Sequence, residues 1–456
     1  MRTEKDSIGI VELPDDAYYG VQSIRAQQNF PLSHRQMEPE MIDSLVEIKK
    51  AAAMANYEAG TLSLEYRDAI INACNEILAG ALRDQFIVDP IQGGAGTSAN
   101  MNTNEVIANR ATELVGGQRG KYLVHPNDHV NMAQSTNDVF PSAGKLATIK
   151  MLNKLVPVLD SLVSSMYDKA EEFKDIVKLG RTQLQDAVPV RLGQEFAAFG
   201  RALKRCVARI REARREMLVL NMGATAIGTS INASKSYVNS VCRVLASELG
   251  ESIVQADDLI DATQNLDGFV QVSSAIRNCA LVMSKIANDL RLLSSGPRGG
   301  FVEITLPARQ HGSSIMPGKI NPVMPEVVSQ VAFRIAGNDV TIGMAAEAGQ
   351  LELNAFEPIL FHSLFESINL LCEVSVVFEK YCISGIEANK EGCMRNLMNS
   401  TAMATALCPI IGYEQATAIV KEALHESRPV MQVAAEKLNK PVEEIQEIFR
   451  QAVENC

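Results

Sequence analysis

One stripe of apolar residues constrains this chain more than any other feature. Val272, Ile276, Cys279, Met283, Ile286, Leu290 and Leu293 recur in alternating steps of four and three, the spacing that places every member on one face of an α-helix. A strand, with its period of two, cannot present them together. A second stripe, Phe196, Phe199, Leu203, Cys206, Ile210 and Met217, carries Arg and Lys between its apolar positions, as a helix with one buried face should. A third runs through Leu146, Ile149, Leu152, Leu155, Leu159, Leu162 and Met166, within a segment from about 143 to 176. Pro157 inside it is expected to kink or interrupt the helix, because its ring lacks an N–H and crowds the preceding turn.

Each run exceeds the mean globular helix of about 11–12 residues, so the fold class is predicted to be mainly α, built on a long central helical bundle. A long bundle exposes much lateral surface, and with 46% apolar residues the stripes suit association between chains as well as a monomer core. At 456 residues the chain exceeds a typical single domain. Residues 1–135 form an N-terminal domain of shorter elements, broken at Gly93 to Thr97 and at His125 to Asp128. Residues 136–391 form the bundle domain, and 392–456 a small C-terminal helical domain with helices near 413–425 and 442–454.

Charge and composition exclude several classes of partner. With 43 Lys+Arg against 54 Asp+Glu the net charge is −11, which opposes binding to a polyphosphate backbone. The charged start, Met-Arg-Thr-Glu-Lys-Asp, is no signal peptide, and no uncharged apolar run reaches membrane-spanning length. A cytoplasmic protein without nucleic-acid or membrane partners is expected. Nine scattered cysteines, odd in number and without Cys-x-x-Cys spacing, suit thiols in a reducing compartment. The six histidines include no zinc-type spacing. His125 and His129 are four apart, but Pro126-Asn127-Asp128 between them reads as a turn. No protein-bound metal is expected.

Four segments are dense in hydroxyl, amide and glycine residues: Gly93 to Asn104, Gln134 to Asp138, Gly180 to Asp186, and Gly312 to Asn321. Any one of them reads adequately as helix caps and turns. All four in so apolar a chain point to binding. The last, Gly-Ser-Ser-Ile-Met-Pro-Gly-Lys-Ile-Asn, fails as a phosphate loop, because five residues separate Gly312 from Gly318 and Ile320 follows Lys319. What remains is a loop with two hydroxyls and one ammonium. That set suits a small carboxylate substrate: Lys319 and Asn321 hold the anion, while a hydroxyl polarised by backbone N–H groups serves as base.

Gly312 to Asn321 also resembles the signature loop of the aspartase/fumarase superfamily. The other three segments resemble that superfamily's substrate-binding regions in the same order, and the likeness runs from Arg2 to near the C-terminus. Four details lean to the aspartase branch. Ala17-Tyr18-Tyr19-Gly20 stands where fumarases usually carry Tyr-Trp-Gly, and this chain has no Trp. Gly93 to Ser98 stands where they tend to read Gly-Ser-Gly-Thr-Gln, and Asn321 to Glu326 where they read Asn-Pro-Thr-Gln. Gln183 follows Thr182 where fumarases and some aspartases place His, and Gln cannot take a proton at neutral pH. Malate dehydration would miss that imidazole most.

The resemblance implies a three-domain fold whose long helices form the core of a homotetramer. It implies the reversible conversion of L-aspartate to fumarate and ammonium, by proton removal from the carbon beside the side-chain carboxylate. The carbanion must be held as an aci-carboxylate dianion, which needs fixed donors. Thr97, Ser135, Thr136 and Ser314 match those donors. Thr182, Lys319 and Asn321 would hold the other carboxylate, Asn137 and Gln183 would lie near the amine, and Ser313 matches the general base. No cofactor is implied. Each active site would draw on three subunits. The rival readings are a fumarase acting on fumarate and L-malate, and a non-catalytic homologue that keeps only the bundle.

Overall fold

The computed structural model describes residues 1–454; Cys456, counted among the thiols above, lies outside them. The chain opens with an antiparallel hairpin, β1 (Arg2–Lys5) and β2 (Ile10–Leu13). Four helices follow, α1 (Val21–Asn29), α2 (Pro39–Glu58), α3 (Leu64–Leu78) and α4 (Thr97–Leu114). Next come α5 (Thr136–Glu172), a second hairpin of β3 (Val177–Thr182) and β4 (Gln185–Arg191), and α6 (Leu192–Ala213). Short parallel strands β5 (Val219–Leu220) and β6 (Val254–Gln255) flank α7 (Lys235–Leu249), and α8 (Asp261–Gln264) precedes the long α9 (Asp267–Leu293). Strand β7 (Ile304–Thr305) pairs with β8 (Glu387–Ala388) across the long helices α10 (Val323–Glu347) and α11 (Glu357–Tyr381) in sequence. The chain closes with α12 (Lys390–Met398), α13 (Cys408–Ile411), α14 (Tyr413–Glu426), α15 (Val430–Leu438) and α16 (Val442–Glu454). The fold is mainly α.

All seven residues of the leading stripe are buried along α9. The second stripe lies buried along α6, although its last member, Met217, falls in a 3₁₀ turn (Arg214–Leu218) beyond the helix end. Pro157 corrects the local expectation: α5 runs unbroken through it for 37 residues. A proline inside a helix costs about 3 kcal/mol. Leu152, Leu155, Leu159 and Leu162 are all buried around it, and burying each such side chain contributes about 1.5–3 kcal/mol. Burial wins. The segment Glu357–Gly385 has the length and mean hydropathy, 1.4, of a membrane span, but its row of Leu360, Phe361, Leu364, Phe365, Ile368 and Leu371 is buried inside the protein. No disulfide joins the described cysteines, most of which are buried.

The chain divides into two compact units that cut across the long helices. The first comprises residues 1–156, 208–278 and 333–371. Its core centres on Phe361, whose ring packs 5.3 Å from Phe140 and 4.9 Å from Phe269. Across that core Asp339 of α10 accepts from Ser273 and Arg277 of α9. The second unit comprises residues 157–207, 279–332 and 372 onward. There Phe173, Phe196 and Phe199 stack edge to face, and Ser161 and Ser165 of α5 donate to Glu379 of α11. Val177 and Leu179 of β3 join a cluster with Leu397, Leu407, Ile419, Val433, Ile445 and Phe449, which seats the second hairpin on the C-terminal helices.

Gly144 gives a test with a reversed sign. Alanine normally stabilises a helix interior by about 1 kcal/mol over glycine, but a Cβ at Gly144 would lie 2.4 Å from the Phe361 ring. Gly144→Ala is therefore expected to lower the urea unfolding midpoint, by about 1–3 kcal/mol of overpacking.

Candidate active site

Two of the four polar segments lie in the first unit. The turn before α4 places Gly94, Ala95 and Gly96 in succession at positive φ, and a side chain at Gly96 would put its Cβ 2.3 Å from the Phe140 ring. Glycine is thus required there on two counts. The turn presents Thr97 exposed at the first residue of α4, with its Oγ1 donating to the Gly94 carbonyl at 2.7 Å. Gln92 braces the same turn, accepting from the Ala99 N–H at 2.9 Å.

Ser135, Thr136 and Asn137 are half-buried at the start of α5. Thr136 Oγ1 accepts from Asn100 of α4 at 3.1 Å, so the helix that carries Thr97 also holds Thr136. The Asn137 amide donates to the Ala226 carbonyl at 2.7 Å, and the Asn137 N–H to Ser135 Oγ at 3.2 Å. Beneath them Asp138, fully buried, accepts from the N–H groups of Ser135, Gly223 and Thr225 at 2.9–3.1 Å. Burial pushes its carboxyl up to about 6, against those N–H donors and the charge of Lys49. Lys49, also fully buried, donates to Asn131 and Gln134 at 2.8 and 2.9 Å, and burial pushes its ammonium down to about 7 against the charge of Asp138. Burial drives both groups towards their neutral forms, and each opposes that drift in the other.

The other two segments lie in the second unit. Gln183 and Leu184 form the two-residue turn of the β3–β4 hairpin, both at positive φ, between the paired Thr182 and Gln185. This is the backbone of a primed turn, whose twist matches that of its strands. It leaves Thr182 and Gln183 exposed at the tip. The hairpin is anchored by Glu303, which is fully buried: Arg181 pairs with it at 2.9 Å, Lys178 at 3.2 Å, and Asn396 donates at 3.1 Å. The Arg181 guanidinium also lies 4.0 Å over the Phe301 ring. One carboxylate therefore fixes the hairpin to the strand that leads into the Gly312 loop.

That loop closes at its neck. The Gly312 N–H donates to the Lys319 carbonyl at 2.8 Å and the Asn321 amide to the Gly312 carbonyl at 2.9 Å. The Asn321 amide nitrogen thus serves the loop's own backbone. Ser314 and Lys319 are exposed, while Ser313 is half-buried and its Oγ accepts from the N–H groups of Ile315 and Met316 at 3.1 and 3.0 Å. Two donors on one hydroxyl oxygen favour its ionised form.

Fold and chemistry thus group the expected residues in two sets. Thr97, Ser135, Thr136 and Asn137 meet in the first unit, and Thr182, Gln183, Ser313, Ser314, Lys319 and Asn321 belong to the second. Sequence reasoning missed the groups underneath. Asp138 lies in a segment already marked as polar, yet Lys49 and Glu303 carry no local signal. The two histidines four apart serve the backbone: His125 Nδ1 accepts from Asn127 and Asp128 N–H, and His129 Nδ1 from His125 N–H. Among the described residues no group of three or more His, Cys, Asp or Glu is arranged to hold a metal.

Comparisons with known proteins identify the family. Residues 9–337 match a lyase family model, and residues 403–452 a model of the fumarase C C-terminus. The chain is 52% identical to an aspartate ammonia-lyase of Bacillus sp over 424 residues, covering 93% of this chain and 91% of that protein. Among solved structures it resembles a fumarate lyase:delta crystallin from Brucella melitensis bound to cobalt, with TM-score 0.95 and 47% identity, covering 99% and 98% of the two chains. It also resembles a class II fumarase from Schistosoma mansoni, with TM-score 0.94 and 34% identity, covering 98% of each chain.

The buried anchor of the hairpin can be tested alone. Removing one partner from a buried ionic cluster costs about 3–5 kcal/mol. Glu303→Ala, which strands Arg181 and leaves Lys178 with Glu195 alone, is expected to lose stability on that scale in urea unfolding, and Glu303→Gln, which keeps hydrogen-bond acceptors, distinctly less.

Proposed function

The chain belongs to the aspartase/fumarase superfamily of lyases, and from that membership we propose that it is an aspartate ammonia-lyase, converting L-aspartate reversibly to fumarate and ammonium. It is a carbon–nitrogen lyase acting on a small dicarboxylate. The observation that carries the residue assignment is the Ser313 hydroxyl, held under the N–H groups of Ile315 and Met316.

The chemistry follows from that position. Ser313 as oxyanion takes the proton from the carbon beside the side-chain carboxylate. The electrons of that C–H bond pass into the carboxylate, giving an aci-carboxylate dianion, and return to form the carbon–carbon double bond as the C–N bond breaks. Nitrogen departs as ammonia and becomes ammonium by taking up one proton, equal to the one that Ser313 returns to solvent. Thr97, Ser135, Thr136 and Ser314 donate to the dianion, which is where fixed dipoles lower the barrier most. Thr182, Lys319 and Asn321 hold the second carboxylate. One N–H of the Asn321 amide ties the loop neck to Gly312 and leaves the second for the carboxylate, while Lys319 supplies the charge. Asn137 and Gln183 face the amine.

Three observations support deamination over hydration: the 52% identity to an aspartate ammonia-lyase, the lower 34% to a fumarase, and a Gln amide at position 183 where an imidazole would serve hydration. A homotetramer with shared sites is the accompanying proposal. Phe333, Val340 and Met344 stand exposed on one face of α10, with Gly337 open between them, a pattern of steps that suits helix-to-helix contact with a second copy. A cytoplasmic location agrees with the absence of disulfides among the described residues.

Pure protein incubated separately with aspartate, malate and argininosuccinate, while fumarate absorbance is followed, is expected to turn over aspartate; activity on malate alone would sink the reading. Ser313→Ala should reduce kcat by about 100-fold or more, the scale of a lost general base, while the oligomer in sedimentation and the binding of fumarate persist. Near-normal rates would place the base elsewhere. If sites are shared, unfolding and refolding Thr97→Val and Ser313→Ala together should restore part of the activity that each lacks alone.

A further inference from the structure

The first unit contains a half-open pocket whose lining includes none of the residues assigned to the lyase chemistry. A cavity of about 180 Å³ lies between the start of α2, the turn before α4 and the first turns of α11. Its walls are the buried Met37, Met41, Phe140, Phe361 and Phe365, and its polar rim holds Arg35, Glu38, His362, Glu366 and Asn369. Sites for drug-sized ligands span roughly 300–1,000 Å³, so this one fits a body no larger than one aromatic ring or a short branched chain.

The charges at the rim decide what such a body would carry. Arg35 is engaged by Glu366 at 3.3 Å, and Glu366 is held further by Arg334 at 2.7 Å and Asn338 at 2.9 Å. These groups satisfy one another. Glu38 differs: among the described residues its carboxylate has one hydrogen-bond partner, the Asn369 amide at 3.2 Å, and no cation within ion-pair distance. Its neighbour Glu40 has Lys154. Burial and the nearby Glu40 raise the Glu38 carboxyl, and the Asn369 hydrogen bond and the more distant charge of Arg35 offset this only in part. A half-buried carboxylate at the mouth of a Phe- and Met-lined space is suited to an ammonium on an apolar stem.

Two wall residues also brace the turn that presents Thr97. The Phe140 ring fills the space over Gly96, and Gln92 accepts from Ala99 while donating to the Asp89 carbonyl. Both residues line the cavity.

We propose that this cavity is an effector site for a small primary ammonium on a single-ring or short branched apolar body, and that its occupation braces the Gly93 to Thr97 turn. The ammonium pairs with Glu38 and the body lies against Met41, Phe361 and Phe365. The effect on turnover rests on the lyase reading given above; the binding itself does not.

Calorimetry with phenethylamine tests the binding. For nine heavy atoms an affinity near 1 mM is expected from ordinary ligand efficiencies. Phenylpropionate, with the same body and opposite charge, should bind at least tenfold more weakly. Glu38→Gln should weaken phenethylamine at least tenfold, and Phe365→Trp, which fills the space without touching charge, should do the same. Equal binding of amine and acid, or binding undiminished in Glu38→Gln and Phe365→Trp, overturns the assignment, as does no binding at tens of millimolar. In the wild type, saturating phenethylamine should lower KM for aspartate at least twofold with kcat little changed, and should leave Phe365→Trp unaffected. Bound amine without a change in KM overturns the coupling to Thr97. Lack of aspartate turnover would refute the lyase reading and leave the calorimetric arm to decide the site.

Discussion

The head of α5 depends on one buried carboxylate. Asp138 gathers N–H groups from its own helix start and from the Gly223 to Thr225 segment, which lies more than eighty residues further along the chain. Without it the N–H groups of Ser135, Gly223 and Thr225 would lose their acceptor, each at a cost of about 1–3 kcal/mol if left unpaired in the interior. With it the helix start is fixed, and because the Ser135 and Thr136 oxygens act there as acceptors, their hydroxyl protons stay available to a substrate. Glu303 does the corresponding work in the second unit, where charge pairing replaces N–H capping. Both carboxylates hold chemistry-bearing segments without belonging to them.

This division explains which parts of the fold were legible in the sequence. The stripe from Val272 to Leu293 could be read because burial follows helix periodicity, and all its members are indeed buried. Pro157 could not be read by its local rule alone, since the deciding quantity is the burial of leucines on either side of it. Lys49 and Glu303 were illegible for a different reason. Their partners lie far off in sequence, Asn131 at 82 residues from Lys49 and Arg181 at 122 from Glu303, and a lone Lys or Glu between apolar neighbours reads as an ordinary surface residue. The site segments themselves were visible through composition, because hydroxyl and amide residues crowded between long apolar helices have few other uses. Which of their atoms are already committed, such as the Asn321 amide nitrogen, only coordinates could reveal.

The Ser313 hydroxyl, which we propose as the base, is polarised by the backbone alone. Its oxygen sits where two backbone dipoles converge, and the loop neck is tied by backbone and amide bonds at Gly312. Preorganised dipoles of this kind cost nothing at the moment of reaction, because they were oriented when the chain folded. The glycine turn before Thr97 is constrained in a comparable way, because the close approach of Phe140 to Gly96 fixes the backbone that presents the Thr97 hydroxyl.

The hairpin tip carries a further consequence. Gln183 and Leu184 both sit at positive φ, where each non-glycine residue is disfavoured by about 1 kcal/mol or more, and an Asn-Gly pair would close the same turn without strain. Under the assignment proposed above, the Gln183 amide at this tip faces the amine, and the turn is then a stability–activity trade-off in which local backbone strain accompanies a placed amide.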